Sequence, residues 1–305
     1  MAHQTRLQPD PVKGIIRLTR WKEQTPLISL TLVGGLIAHS VHGMPLDWRL
    51  VAVAVANFLT VTFAFMINDI EDAQDDARHP VSARRNPMTN GMLDAVTAWQ
   101  TCAVVVVAAL VLYASTGVLV LFVGGLNLLL SFLYSWKPIR LKSSTVGLDV
   151  VSHTLMLGGL LPLAAYLAYS TVLDPAIIMM AAAMTLGSAY GQLYNQVRDY
   201  DADKAAGIVN VTIRIGKRAA FALMYAAAVL SIGLGVLAVR ELVFPSWTPF
   251  AVIGGMLLGF VSTFVVQTDA SGKPPLDITG RLQGGFWITF NVLIIVWVLW
   301  AMGVL

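Results

Sequence analysis

Residues 50–76 read LVAVAVANFLTVTFAFMINDIEDAQDD. As far as Ile67 this stretch carries no charge, and about 20 predominantly apolar residues suffice to cross a bilayer as a helix. The remainder packs Asp69, Glu71, Asp72, Asp75 and Asp76 into a few positions. Carboxylates so close together repel one another unless something positive lies among them. The reading is a spanning helix that emerges at a surface where cations gather.

The rest of the chain agrees. Of 305 residues 57% are hydrophobic and 12% charged, with a mean hydropathy of +0.72. A soluble domain carries about 25% charged residues, so there is too little polar surface here for a soluble fold. The same composition excludes disorder, and 25 glycines with 13 prolines exclude a coiled coil. A net charge of +3 does not call for nucleic acid, and nothing in the sequence names a protein partner. The lone Cys102 can form no internal disulfide. The expected fold class is an all-α integral membrane protein with its helices around a central cavity.

Apolar runs near 26–43, 49–67, 93–115, 117–135, 145–169, 175–194, 218–239, 247–267 and 284–304 are candidate spans. Only Gly117 separates the third from the fourth, so the runs alone permit eight or nine. Charge decides between them. With nine spans and a cytoplasmic N-terminus, every Lys and Arg except Arg49 and Arg240 falls on the cytoplasmic side. Residues 13–22, KGIIRLTRWK, read as an amphipathic helix at the membrane surface, and no signal peptide is expected. The expected organisation is an interfacial segment over 1–25 and one transmembrane domain over 26–305. Within that domain, pseudo-repeats near 26–143 and 144–267 precede a final helix.

The repeat rests on a second acidic stretch, NQVRDYDAD at 195–203. Asn68, Asp72 and Asp76 recur every fourth residue, and so do Asn195, Asp199 and Asp203. Four-residue steps drift by only about 40° around a helix, so each trio lines one face. Both trios follow an even-numbered span and reach the same side of the membrane. Either one alone reads equally well as a solvated helix end. Acids at helix C-termini are unfavourable, however, and two matched clusters point to bound cations. Carboxylate and amide oxygens are the hard donors that suit Mg²⁺, which shares its shell with substrate phosphates. Asn68, Asp72 and Asp76 are the expected ligands of one ion, with Asp69 as a further partner. Asn195, Asp199 and Asp203 are those of another. Glu71, Asp75 and Asp201 fall off the main face.

A diphosphate held by such ions needs cationic partners too. The loop RHPVSARRNPMTNG (78–91) offers Arg84 and Arg85, and YSWKPIRLK (134–142) offers Tyr134, Arg140 and Lys142. Arg198 lies inside the second motif. Lys137, Lys217 and Arg218 read as topology charges.

These elements resemble the UbiA superfamily of intramembrane prenyltransferases. Asn68, Asp69, Asp72 and Asp76 match its first motif, and Asp199 and Asp203 its second. Tyr134, Ser135, Leu141 and Lys142 match the element between them. The order and layout agree over essentially the whole chain. Two departures stand out: Asn86 precedes Pro87 where members often have Arg-Pro, and Asn195 and Gln196 stand where many have an acid. The resemblance implies Mg²⁺-assisted ionisation of a prenyl diphosphate and transfer of the prenyl group to a lipophilic acceptor, aromatic or quinone-like. Asp72, Asp199, Tyr134 and Lys142 would carry the reaction. Arg84, Arg85, Arg140, Lys142 and Arg198 would hold the diphosphate. Phe65, Tyr190 and Tyr194 stand where they either shelter an allylic cation or serve as interfacial aromatics. Asp149 and His153, one turn apart near the fifth span, either meet the acceptor or pair with each other. A membrane terpene cyclase shares the same ionisation machinery, and a cation transporter is the reading from another class.

Overall fold

The computed structural model describes residues 10–305 apart from 79, 145, 266, 270 and 271. Arg6, and with it residues 1–9 of the expected interfacial segment, lies outside the described residues. The described chain is helical, without a strand. Nine of its segments are long and apolar enough to cross a membrane, which agrees with the charge-based count.

The chain opens with α1 (Pro11–Thr19) and α2 (Trp21–Gln24), which lead through a short turn into α3 (Ile28–His42). Asp10 caps α1 by accepting from the Lys13 N–H at 3.1 Å, with Pro11 in the first turn where its missing N–H costs nothing. The second span, α4, runs from Trp48 to Asp76 without interruption, so the first acidic motif is the last two turns of the spanning helix itself. A short α5 (Pro80–Arg85) leads to α6 (Ala95–Thr116), capped by Asp94. Gly117, at φ +152°, separates α6 from α7 (Val118–Ser135), a backbone setting that L side chains rarely adopt. That one residue makes nine spans rather than eight.

The fifth span joins α8 (Leu148–Thr154) and α9 (Leu161–Leu167) through a π-helical turn over Leu155–Leu160. The sixth, α10, runs from Pro175 to Arg198 and stops at Asp199. Small helices α11 (Tyr200–Ala205) and α12 (Val211–Ile215) precede α13 (Lys217–Arg240), α14 (Thr248–Val265) and α15 (Ile278–Ala301). The second motif therefore straddles a helix break. The Asp203 N–H donates to the Asp199 carbonyl at 2.9 Å, which preserves the four-residue step across it.

Helices in lipid associate through close packing and internal polar bonds, because lipid is as apolar as they are. Tyr113 of α6 donates to Asn57 Oδ1 of α4 at 2.7 Å. The Asn57 amide in turn donates to Thr31 Oγ1 at 2.8 Å and to the Leu161 carbonyl at 3.0 Å. One buried network thus ties four helices together. Around it the outer faces stay apolar and open: Val104, Val107 and Val111 on α6 and Val229 and Ile232 on α13 are each more than half exposed. Such faces are stable only against lipid, and the chain is an integral membrane protein.

Gly34 shows how close the packing is. A Cβ there would lie 1.9 Å from the Pro162 carbonyl oxygen of α9, a backbone atom that cannot swing aside. Gly34→Ala is expected to destabilise the fold by about 1–3 kcal/mol, read as a lower thermal midpoint in detergent. Gly125→Ala, with nothing within 4 Å of its Cβ, is the control and leaves the midpoint unchanged.

Candidate active site

The loops between spans two and three, four and five, six and seven, and eight and nine all open on the face where α4 and α10 end. The first motif there is divided between two sets of partners. Asn68 and Asp72 face the loop after α7. Lys142 Nζ donates to Asp72 Oδ2 at 2.5 Å and to Asn68 Oδ1 at 2.9 Å. Arg140 Nη2 reaches Asp72 Oδ1 at 2.9 Å and Asp75 Oδ2 at 3.1 Å. Ser135 donates to Asn68 Oδ1 at 3.4 Å.

Asp69 and Asp76, seven residues apart and so nearly on one line of the helix, face the loop after α4 instead. The Asn86 amide donates to the Asp69 carbonyl at 2.7 Å and to Asp76 Oδ2 at 2.9 Å. Asn86 thus gives the departure from Arg-Pro a structural role. The Asp69 carboxylate itself is buried and takes both a Nε bond at 3.1 Å and a short Nη2 bond from Arg20. Arg20 also lies 5.3 Å from the Phe65 ring centre, which occupies that face of the ring with a fixed cation.

Arg20 and Arg140 share one unusual feature. Among the described residues they are the two non-glycines with positive φ, at 47° and 45°. The left-handed conformation costs an L-residue roughly 1–2 kcal/mol. Each guanidinium is bound to a carboxylate of the first motif, so the ion pairs offset backbone conformations that the local sequence would not choose. Arg140 Nε is also buried without a partner, leaving one donor unspent beside Asp72. Burial pulls the Lys142 ammonium below its ordinary value, against the opposing pull of Asp72 and, more weakly, Asp76.

The second motif is organised by the loop before α15. Arg198 binds the Asp199 carboxylate in a fork, Nε to Oδ1 at 3.0 Å and Nη2 to Oδ2 at 2.9 Å, and makes a short bond to Asp269. Lys273 Nζ adds a bond to Asp199 Oδ2 at 2.7 Å. Arg198 and then Lys273 hold the Asp199 carboxyl below the usual range. Asp203 moves the other way, raised by burial and then by Asp199. Asn195 is exposed on this face. Tyr134 stands between the halves, its ring centre 6.0 Å from that of His153 and its hydroxyl in electrostatic reach of Gln192, Asp72 and Asp149.

Tyr190 and Tyr194 prove to be ties. Tyr190 donates to Thr279 Oγ1 at 2.7 Å, and the Tyr194 hydroxyl accepts from the Leu276 N–H at 2.7 Å, fixing the start of α15. Asp149 accepts from Gln196 Nε2 at 2.9 Å and from the Val211 N–H at 3.3 Å, while its Oδ1 and His153 Nδ1 are buried without partners. Asp149 thus pairs with the second-motif helix rather than with His153. Arg84 and Arg85 are exposed and line a cavity of about 830 Å³ shared with α1 and α2, with Arg85 in electrostatic reach of Asp69. Reading the sequence assigned Arg20, Asp269 and Lys273 no part in the site. Their only signal there was charge on the motif side, and Asp269 carried none beyond its type.

The two motifs present oxygen donors, each set neutralised by cations that an anion could claim. A sequence profile described as the UbiA prenyltransferase family matches residues 27–276. The chain belongs to this family. Solved structures agree on the fold. A UbiA homologue from Archaeoglobus fulgidus, solved bound to GPP and Mg²⁺, superposes with a TM-score of 0.70 at 18% identity, covering 95% of this chain and 99% of that one. A digeranylgeranylglyceryl phosphate synthase gives 0.68 at 19% identity, over 96% and 99%. The apo UbiA homologue of Aeropyrum pernix K1 gives 0.66 at 16%, over 92% and 98%. No curated protein sequence matches. As a UbiA-family protein the chain is an integral membrane prenyltransferase.

Proposed function

We propose that this UbiA-family enzyme ionises a prenyl diphosphate with Mg²⁺ and transfers the prenyl group to a lipophilic acceptor, aromatic or quinone-like. The observation that carries the reading is Asp72 at the end of a spanning helix, flanked by Asn68 and held by both Arg140 and Lys142. By donor type the residues suit the ion, with amide and carboxylate oxygens from Asn68, Asp72 and Asp76 and from Asn195, Asp199 and Asp203. Asp76, however, is turned to Asn86, and no three acidic side chains among the described residues are gathered at one point. Mg²⁺ held there supplies the charge that makes diphosphate a good leaving group. The homologue solved with GPP and Mg²⁺ supports the choice of a prenyl diphosphate and of this ion.

Lys142 and Arg140 then exchange Asp72 for diphosphate oxygens, Arg140 with its unspent Nε included. Arg198 does the same at the second motif. Tyr134, between the halves, donates a hydrogen bond to the departing oxygen as the allylic C–O bond breaks and keeps its proton. The electron pair leaves with the diphosphate, the acceptor's electrons form the new bond to the allylic carbon, and the acceptor's proton passes to the released diphosphate. The prenyl chain lies among the apolar helices. On this reading the motif face is cytoplasmic, as the basic loops require.

The test is diphosphate release by purified protein in nanodiscs, with dimethylallyl, geranyl, farnesyl and geranylgeranyl diphosphates and a panel of acceptors. Release is expected to need both Mg²⁺ and an acceptor and to stop with EDTA. Release without acceptor, yielding a cyclic terpene, replaces transfer by cyclisation. No release with any substrate removes the diphosphate reading.

A further inference from the structure

The cavity that holds Arg84 and Arg85 borders the first acidic motif on its Asp69 side, away from Asp72, Lys142 and Arg140. Besides these two it is lined by Arg17, Arg20 and Lys22, against one carboxylate, Glu23. Arg20 is committed to Asp69. Among the described residues, none of Arg17, Lys22, Arg84 and Arg85 is ion-paired. Cations gathered around about 830 Å³ repel one another, and the arrangement is favourable only with an anion among them. Guanidinium forks match phosphate oxygens best.

The same cavity has an apolar side. Ile16 and Trp21 line it and are 51% and 46% exposed, and Val12, one turn earlier on α1, is 68% exposed. A short helix with such a face lies in the headgroup layer of a membrane. A free inorganic ion would use the cations and leave the apolar rim idle. We propose that this cavity binds the phosphate head of an amphiphile, a phosphomonoester whose chain passes Ile16 and Trp21 into the bilayer. The site is separate from the prenyl diphosphate site and does not depend on the reaction proposed there.

The full-length protein is tested by native mass spectrometry with dioleoyl phosphatidic acid, dioleoyl phosphatidylcholine and inorganic phosphate as probes. Wild type is expected to retain phosphatidic acid in preference to phosphatidylcholine. Arg17→Gln with Lys22→Gln is expected to weaken retention roughly 30-fold, at about 1 kcal/mol for each basic residue near a membrane surface. Lys13→Gln, on the same helix but outside the cavity, and Asp72→Asn, in the acidic site, are both expected to retain the lipid as wild type does. Equal loss in Lys13→Gln would reduce the effect to general surface charge and overturn the site. Loss in Asp72→Asn would merge it with the diphosphate site and overturn its separateness. Displacement of the lipid by equimolar inorganic phosphate would overturn the amphiphile. If the double variant proves misfolded by circular dichroism, Arg84→Gln approaches the same cavity from α5 and is expected to weaken retention alone.

Discussion

Asp72→Ala and Asp199→Ala are each expected to lower the turnover of prenyl diphosphate by roughly 10³-fold. The rate falls because each carboxylate helps hold the charge that the leaving diphosphate requires. Thermal midpoints are read alongside, because the cations left behind are more buried than the carboxylates that answered them: side-chain exposure is 14% at Lys142 and 9% at Arg198, against 18% at Asp72 and 29% at Asp199. The double variant tells more than either single one. If both motifs act on one diphosphate, the losses are strongly non-additive and the double falls little below the singles. Two independent sites would instead multiply the losses. Single-turnover diphosphate release at saturating Mg²⁺ is the measurement, with Asp201→Ala, whose carboxylate pairs with Lys217 at 2.8 Å on the exposed surface, as the control that keeps its rate.

The other large effect is structural. Arg20→Ala is expected to cost roughly 3–5 kcal/mol, because it leaves the Asp69 carboxylate buried and uncompensated. Asp69 is 1% exposed, so water cannot replace the guanidinium. Arg20→Met combined with Asp69→Asn removes both charges and is expected to recover most of the stability, since an apolar pair of similar volume often matches a buried ion pair. Thermal midpoints in detergent give the first comparison. Turnover in the rescued double variant gives the second. Near-normal Mg²⁺ dependence there would show that Asp69 serves the fold. A stable but inactive double variant would place Asp69 among the metal ligands.

These two experiments divide the first motif where spacing on a helix could not. Asn68, Asp72 and Asp76 drift around α4 by about 80° over two steps. That drift is enough for Asn68 and Asp72 to meet Lys142 while Asp76 meets Asn86. Asp69, adjacent in sequence to Asn68, turns to a different neighbour altogether.

The class of the molecule, and the placing of both motifs on one side of the membrane, were legible in the chain. Span length, apolar content and the placement of Lys and Arg are properties of contiguous segments in a bilayer, and each can be read residue by residue. Nine spans and the two motifs follow from such local quantities, whereas the contacts of Lys142 and Arg140 with Asp72 do not. Tertiary structure alone decided the partners. Arg20 reaches Asp69 because α1 folds back onto α4, and Asp269 and Lys273 reach Arg198 and Asp199 because the loop before α15 closes over the end of α10. The same folding back of α1 and α2 sets Arg84 and Arg85 around a cavity on the Asp69 side of the first motif. Charge neutralisation acts over a few ångströms in space, and the cation that answers a buried carboxylate is set by packing rather than by distance along the chain.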